Sequence, residues 1–182
     1  EETEFLAFCE TFQIIEQAPP FQDMRMGPFS FLKPRTWTTV QPESTEIIRR
    51  PFGFTFGVDQ EASCQLGIIT DPEHGGIQKV INQWLSASNR PAMDDAAIAQ
   101  LPQQGLLGNG SRIDIVDQNG RRFVGIASEL GAQGHGAMTI LTELTGPPQV
   151  IEQNLTLFDN FCESLKIKAS TSTSTSTSPS PH

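Results

Sequence analysis

The clearest candidate for chemistry is His74-Gly75-Gly76, which directly precedes a stretch with helical spacing. Free backbone N–H groups and the helix dipole favour negative charge at a helix start, so His74, Gly75 and Gly76 could bind an anion. In the structural alternative, the glycines permit a tight turn, and Asp71 and Glu73 neutralise the helix end. The Gly-Lys-Ser/Thr ending of a phosphate-binding loop is missing here.

Two further candidates lie within the predicted helix. Asn82 and Trp84 are two residues apart, so a helix turns them in different directions. Trp84 is expected in the apolar stripe that faces the core, whereas Asn82 could hold a neighbouring loop by side-chain hydrogen bonds. A ligand-binding role for the pair is the alternative.

His135 and Cys64 are the remaining candidates. His135 lies in a Gly-rich stretch, where an imidazole could bind a metal or act as a general base, but no second histidine lies at ligand spacing. Cys64 with His74 or His135 is the only formal nucleophile–base pair, and a thiol in an apolar strand is usually inert. We therefore predict no enzyme, no metal and no cofactor.

Composition excludes several classes of function. The chain has 182 residues, with 12 Lys and Arg against 21 Asp and Glu, for a net charge of −9. Nucleic-acid binding and docking on anionic lipid both need a basic face. No apolar run approaches the roughly 20 residues of a membrane span.

The three cysteines, Cys9, Cys64 and Cys162, show no spacing typical of a thiolate metal site. Buried, reduced thiols are the first expectation. A Cys9–Cys162 disulfide is the alternative, because both residues lie in predicted helices at opposite ends of the fold.

The N-terminal segment is the best candidate for partner binding. Residues 3–17 have helical spacing that puts Phe5, Phe8 and Phe12 on one face. Such an aromatic stripe could dock into a groove of a protein partner. It could instead pack on the chain's own sheet.

The rest of the chain predicts runs of strands and runs of helices. Strand signal covers residues 29–34, 37–40, 45–50, 52–57, 64–70, 111–117, 121–128 and 137–144. Helical spacing covers residues 77–85, 94–101 and a long stretch that begins at Pro147-Pro148. This order predicts an α+β fold with a single antiparallel sheet of about six strands flanked by helices, an α/β/α sandwich.

Two local signals refine this prediction. Asn119-Gly120 predicts a tight hairpin. Pro51 predicts a break or an edge bulge between two strands.

The chain divides into three predicted regions. Residues 1–27 form an N-terminal helix and linker, residues 28–168 an α+β domain, and residues 169–182 a Ser/Thr-rich tail without large apolar side chains. Such a tail cannot offset its own ordering entropy, so it is a flexible tail or a glycosylated stalk. The chain begins Glu1-Glu2, so we expect that a signal peptide, transit sequence or lipid anchor could have been removed.

Three motifs carry a family resemblance. Gly75-Gly76 leads to Asn82-x-Trp84, the later segment 144–147 reads Leu-Thr-Gly-Pro, and residues 29–37 combine a strand, Lys-Pro and Trp. Together they resemble small bacterial extracytoplasmic proteins, often lipoproteins, with a PsbP-like fold similar to the photosystem II extrinsic subunit P. The resemblance covers residues 28–167 and implies fold and compartment, but no catalytic residues.

These observations predict a non-enzymatic, exported binding or scaffold protein, an extrinsic subunit of a larger assembly, for which a membrane-associated complex is one candidate. Its partners would be proteins, and its location periplasmic or extracellular, or alternatively the plastid thylakoid lumen. A small-ligand or metal carrier that uses the His74 and His135 loops is the second hypothesis, and a thiol enzyme at Cys64 is the third.

Overall fold

The computed structural model describes residues 20–132 and 135–168, with backbone only at 132 and 135–137. The predicted helix of residues 3–17, with Phe5, Phe8 and Phe12, lies outside the described residues. So do Cys9 and the Ser/Thr-rich tail.

Within those ranges the chain forms ten strands and three helices. The strands are β1 (Phe21–Met26), β2 (Phe29–Pro34), β3 (Thr38–Val40), β4 (Arg49–Phe56), β5 (Ala62–Ile69), β6 (Gln103–Gly105), β7 (Asn109–Val116), β8 (Arg122–Ala132), β9 (His135–Gly146) and β10 (Lys166–Ile167). The helices are α1 (Ile77–Ala87), α2 (Asp95–Ile98) and α3 (Pro148–Ser164).

The strands form two antiparallel sheets. The large sheet has seven strands in the order β3-β4-β5-β9-β8-β7-β6, and the small sheet has three in the order β1-β2-β10. The α+β class was predicted correctly, but the single sheet of about six strands was wrong. The second sheet was missed because β10 has two residues and β1 lies in the region assigned to a linker.

The large sheet is buried on both faces, and each face has its own core. On one face, Phe52 and Phe54 of β4 pack with Phe31 of β2 and Phe161 of α3. On the other face, α1 packs its apolar stripe, including Trp84, against β8 and β9. The layers are therefore α1 and α2, then the large sheet, then α3 with the small sheet.

Both local signals in the strands are confirmed. The β4–β5 register shifts between Arg49 and Phe52, so Pro51 lies at a bulge within one strand. The turn between β7 and β8 has Gly120 at φ +76°, and Asp117 donates its N–H to the Arg121 carbonyl at 2.9 Å.

The Lys-Pro-x-x-Trp succession ties the end of β2 to α3. The Lys33 ammonium donates to the carbonyls of Pro34 and Trp37, and the Trp37 indole N–H donates to the Asn154 Oδ1 at 2.9 Å. Lys33 is 8% exposed, and burial lowers the pKa of its ammonium. This motif therefore fixes the position of one layer against another.

Candidate functional site

The His74 turn is held together by Asp71. The His74 Nδ1 lies 2.6 Å from the Asp71 Oδ2, and the Glu73 N–H donates to the Asp71 Oδ1 at 2.8 Å. The Gly75 N–H donates to the Asp71 carbonyl at 2.8 Å. The Glu73 N–H and the His74 ring hold the pKa of the Asp71 carboxyl below its usual value. One nitrogen of the His74 ring is thus already engaged.

The start of α1 is occupied by side chains of the chain itself. The Gly76 N–H donates to the Thr139 Oγ1 at 2.7 Å, and the Ile77 N–H donates to the Glu129 Oε1 at 3.1 Å. Gly76 has φ +102°, which favours glycine there. Two of the N–H groups that could bind an anion at this helix start are therefore already engaged, one of them by the carboxylate of Glu129.

A surface recess adjoins this helix start. It has a volume of about 440 Å³, and its walls include Gly76, Lys79, Asp95, Ser111 and Glu129. Lys79 donates its ammonium to the Glu73 carbonyl at 2.7 Å, so it also braces the turn.

Asn82 holds the loop that follows α1, as predicted. Its Nδ2 donates to the Met93 carbonyl at 2.9 Å, and its Oδ1 accepts from the Met93 N–H at 2.7 Å. Both hydrogen-bonding ends of the amide are therefore used by one backbone residue.

Trp84 lies in the core, as predicted, but its polar atom has a partner that the sequence did not indicate. Its indole N–H donates to the Glu143 Oε1 at 2.8 Å, and the Arg50 Nη1 donates to the Glu143 Oε2 at 2.5 Å. The side chains of Arg50 and Glu143 are each 15% exposed. This ion pair joins α1, β4 and β9.

The hypothetical metal or base site at His135 has a different backbone from the predicted loop. His135 begins β9 and pairs with Ala132 of β8, so the hairpin strands extend into the Gly-rich stretch. The His135 side chain lies outside what the structure describes. Among the described residues there is no group of three His, Cys, Asp or Glu able to hold a metal.

The two described cysteines are buried free thiols. Cys64 and Cys162 are both 0% exposed, and burial raises the pKa of each thiol. The Cys162 Sγ lies 3.7 Å from the Thr142 Oγ1. A nucleophilic cysteine needs access and a stable thiolate, so this environment disfavours a thiol enzyme at Cys64.

A second cleft lies between the helices and the outer edge of the large sheet. Its volume is about 540 Å³, and it is lined mainly by apolar side chains from α1, the loops around α2, and β7. Sequence reasoning missed it, because its walls come from segments that no local pattern connects.

No helix in the described part of the chain is long and apolar enough to cross a membrane.

Comparison with known proteins gives structural likeness only. No family model matches the sequence, and no curated protein matches it. The chain is similar to cyanobacterial PsbP (CyanoP) from Synechocystis sp. PCC 6803, with 14% identity and a TM-score of 0.44, over 87% of this chain and 99% of that one. It is also similar to LpqN, involved in cell envelope biogenesis of Mycobacterium tuberculosis, with 13% identity and a TM-score of 0.44, over 84% of this chain and 87% of that one.

Proposed function

We propose that the chain is a non-enzymatic, exported binding or scaffold protein that acts as an extrinsic subunit of a larger assembly. The observation that supports this proposal is that polar side chains in and around the predicted site form hydrogen bonds within the chain itself. Asn82 fixes the loop at Met93, and Glu143 joins Trp84 to another strand. Side chains used in this way stiffen a surface, which lowers the entropy cost of binding a partner.

The partner is expected to present a basic face. The chain carries a net charge of −9, and complementary charge speeds the encounter of two proteins. Exposed acidic residues include Glu73, Asp94, Asp95 and Asp114. High salt should therefore slow association.

The aromatic stripe of Phe5, Phe8 and Phe12 stays the proposed contact for a protein partner, because an amphipathic helix can lay such a face into a groove. Location in the periplasm, outside the cell or in a thylakoid lumen likewise stays a proposal.

Size-exclusion chromatography of a native extract, followed by cross-linking, tests the assembly. The protein should elute in a complex well above its own 19.9 kDa. Elution as a free monomer under mild conditions would contradict the proposal.

A pair of matched variants tests the stripe. Loss of the stripe in the triple variant Phe5→Ala, Phe8→Ala, Phe12→Ala should prevent the protein from co-eluting with the complex. The control triple variant Thr11→Ala, Gln13→Ala, Gln17→Ala should still co-elute with it. If the phenylalanine variant stays in the complex but melts at a lower temperature, the stripe packs on its own sheet instead.

A further inference from the structure

The outer edge of the large sheet is only partly covered. Strand β6 pairs with β7 over Asn109–Ser111 alone, whereas β8 pairs with β7 from Ser111 to Val116. Over the described residues, therefore, the second half of β7 has a strand on one side only.

The direction of the free backbone groups follows from two hydrogen bonds. The Arg112 N–H donates to the Pro102 carbonyl at 2.9 Å, on the β6 side of the strand. In an antiparallel ladder the N–H and C=O of one residue point to the same side, and successive residues alternate. Asp114 and Val116 therefore also point outward, and the Val116 carbonyl does accept from the Arg90 Nη2 at 3.2 Å.

Four outward groups have no hydrogen-bond partner in the part of the chain that the structure describes. They are the Arg112 carbonyl, both backbone groups of Asp114 and the Val116 N–H. A row of this kind is a template for another strand.

The apolar cleft opens on this same edge. Its volume of about 540 Å³ is that of a ligand pocket. Leu85, Met93 and Leu101 line it together with Ile113 and Ile115 of β7.

The polar part of the cleft lies on the other face of β7. Gln104, Arg112 and Asp114 contribute to it, and Arg112 and Asp114 alternate along the strand with Ile113 and Ile115. The carboxylates of Asp114 and Asp159, which pair with arginines, have side chains that are 36% exposed.

We propose that the edge of β7 from Arg112 to Val116 binds an extended segment of a partner protein by strand addition. The segment alternates apolar side chains, which enter the cleft, with basic ones, which face Asp114 and Asp159. Main-chain hydrogen bonds supply affinity in this mode, and the side-chain pockets supply specificity. The inference deepens the proposed binding function and rests on it.

A second copy of this chain fits the edge less well than a separate segment. The open stretch of about four residues spans roughly 13 Å at the rise of an antiparallel strand. It is bounded by β6 at one end and by Arg90 at the other. Pairing β7 with β7 of another copy would bring a second β6 against it and join two chains that each carry a charge of −9.

Peptide selection on the full chain tests the inference. The probe is a displayed pool of heptapeptides that alternate valine or leucine with lysine, and the control pool has the same composition in apolar and basic blocks. The alternating pool should yield binders. Equal enrichment of the two pools, or none, would overturn the inference.

Amide hydrogen exchange in the presence of a selected peptide then tests whether the peptide pairs with the outward backbone groups of β7. Protection should rise at Asp114 and Val116, whose N–H groups point outward, and stay unchanged at Ile113 and Ile115, which face β8. Equal changes at all four amides would overturn strand addition.

Two variants of Asp114 separate the contribution of its backbone N–H to peptide binding from that of its side-chain charge. Asp114→Pro removes the outward N–H and should weaken the selected peptide at least about tenfold, which is the loss of one good hydrogen bond. Asp114→Asn keeps that N–H and should change affinity by less than about threefold. Val116→Pro repeats the test if Asp114→Pro fails to fold, and unchanged binding by a folded proline variant would overturn the inference.

The outcomes also separate this surface from the proposed function. If the native complex persists while no peptide binds, strand addition at β7 is wrong and the binding role stands. If the chain dimerises in sedimentation through this edge, a second copy is the occupant and the inference is overturned. If no peptide binds and no native complex is found, both the strand-addition proposal and the proposed binding function are wrong.

Discussion

The indole N–H of Trp84 donates to the carboxylate of Glu143 at 2.8 Å, although the two residues are 59 positions apart in the chain. The same carboxylate accepts from Arg50. One half-buried acidic group therefore fixes α1 over the large sheet. Because Leu85 of α1 lines the apolar cleft beside β7 (hereafter the β7 cleft), the same group also fixes one wall of that cleft.

Removal of this carboxylate should destabilise the fold. Glu143→Ala leaves Arg50 unpaired and the Trp84 N–H without its acceptor, so we expect a loss of about 3 kcal/mol in the free energy of unfolding. Urea denaturation measures it. Glu152→Gln is the control, because its side chain is 67% exposed in its ion pair with Arg122, and it should cost less than about 1 kcal/mol. Equal losses in the two variants would contradict a special role for Glu143.

Gly125 should not tolerate a side chain. A Cβ atom there would lie 2.6 Å from the Trp84 ring, and overpacking of this kind costs about 1–3 kcal/mol. Gly125→Ala should therefore lower the melting temperature and alter tryptophan fluorescence. Gly131→Ala is the matched control, since nothing lies within 4 Å of its added Cβ. A full-stability Gly125→Ala protein would show that α1 can shift away from the sheet.

Asn82→Ala should loosen the loop at Met93. It removes two hydrogen bonds to the Met93 backbone, for an expected loss of about 1–3 kcal/mol. Faster amide exchange at Met93 is the direct measurement. Asn160→Ala, which removes an exposed bond to the Thr156 carbonyl, should leave Met93 unchanged. Because Met93 lines the β7 cleft, peptide affinity should fall in the first variant alone.

The Asp71 turn should lose stability in acid. The pKa of Asp71 is lowered in the folded chain, so its contribution is present above the unfolded pKa of about 4 and is lost as pH falls through the folded value. The difference in melting temperature between the wild type and Asp71→Asn should therefore be largest at pH 7 and should narrow as the pH falls below about 4. Glu73→Gln controls for the charge of the same turn. A gap that widens in acid would contradict this sign.

Cys64 and Cys162 should be inert in the native protein. Both thiols are fully buried with raised pKa values, so alkylation followed by mass spectrometry should label them only in denaturant. Rapid labelling of Cys64 at neutral pH without denaturant would restore the thiol-enzyme hypothesis.

The parts of the fold that could be predicted are those where apolar periodicity is strong. The helical spacing of apolar residues around Trp84 correctly predicted α1. The alternation of Phe52, Phe54 and Phe56 correctly predicted that they share one buried face of the sheet. The strands β6 and β10 have three and two residues, and segments so short form only because a longer strand is already there to pair with.

The sequence predicts the roles of individual residues in the candidate site, but it does not predict which distant residues they contact. Helical spacing separated a core role for Trp84 from a loop role for Asn82, and both are confirmed. Glu129 and Glu143 come from strands far along the chain, and no local pattern connects them to α1. Long-range partners of this kind are set by sheet register, which a single sequence does not show.

The pairing of β10 with β2 has a consequence for synthesis of the protein. Lys166 lies opposite Ser30 and Ile167 opposite Phe29, so one edge of the small sheet is formed by residues that lie far from β2 in the chain. Contacts of such high sequence separation slow folding. All the strands of the large sheet lie between β2 and β10 in the sequence, so they are synthesised before this edge of the small sheet can close.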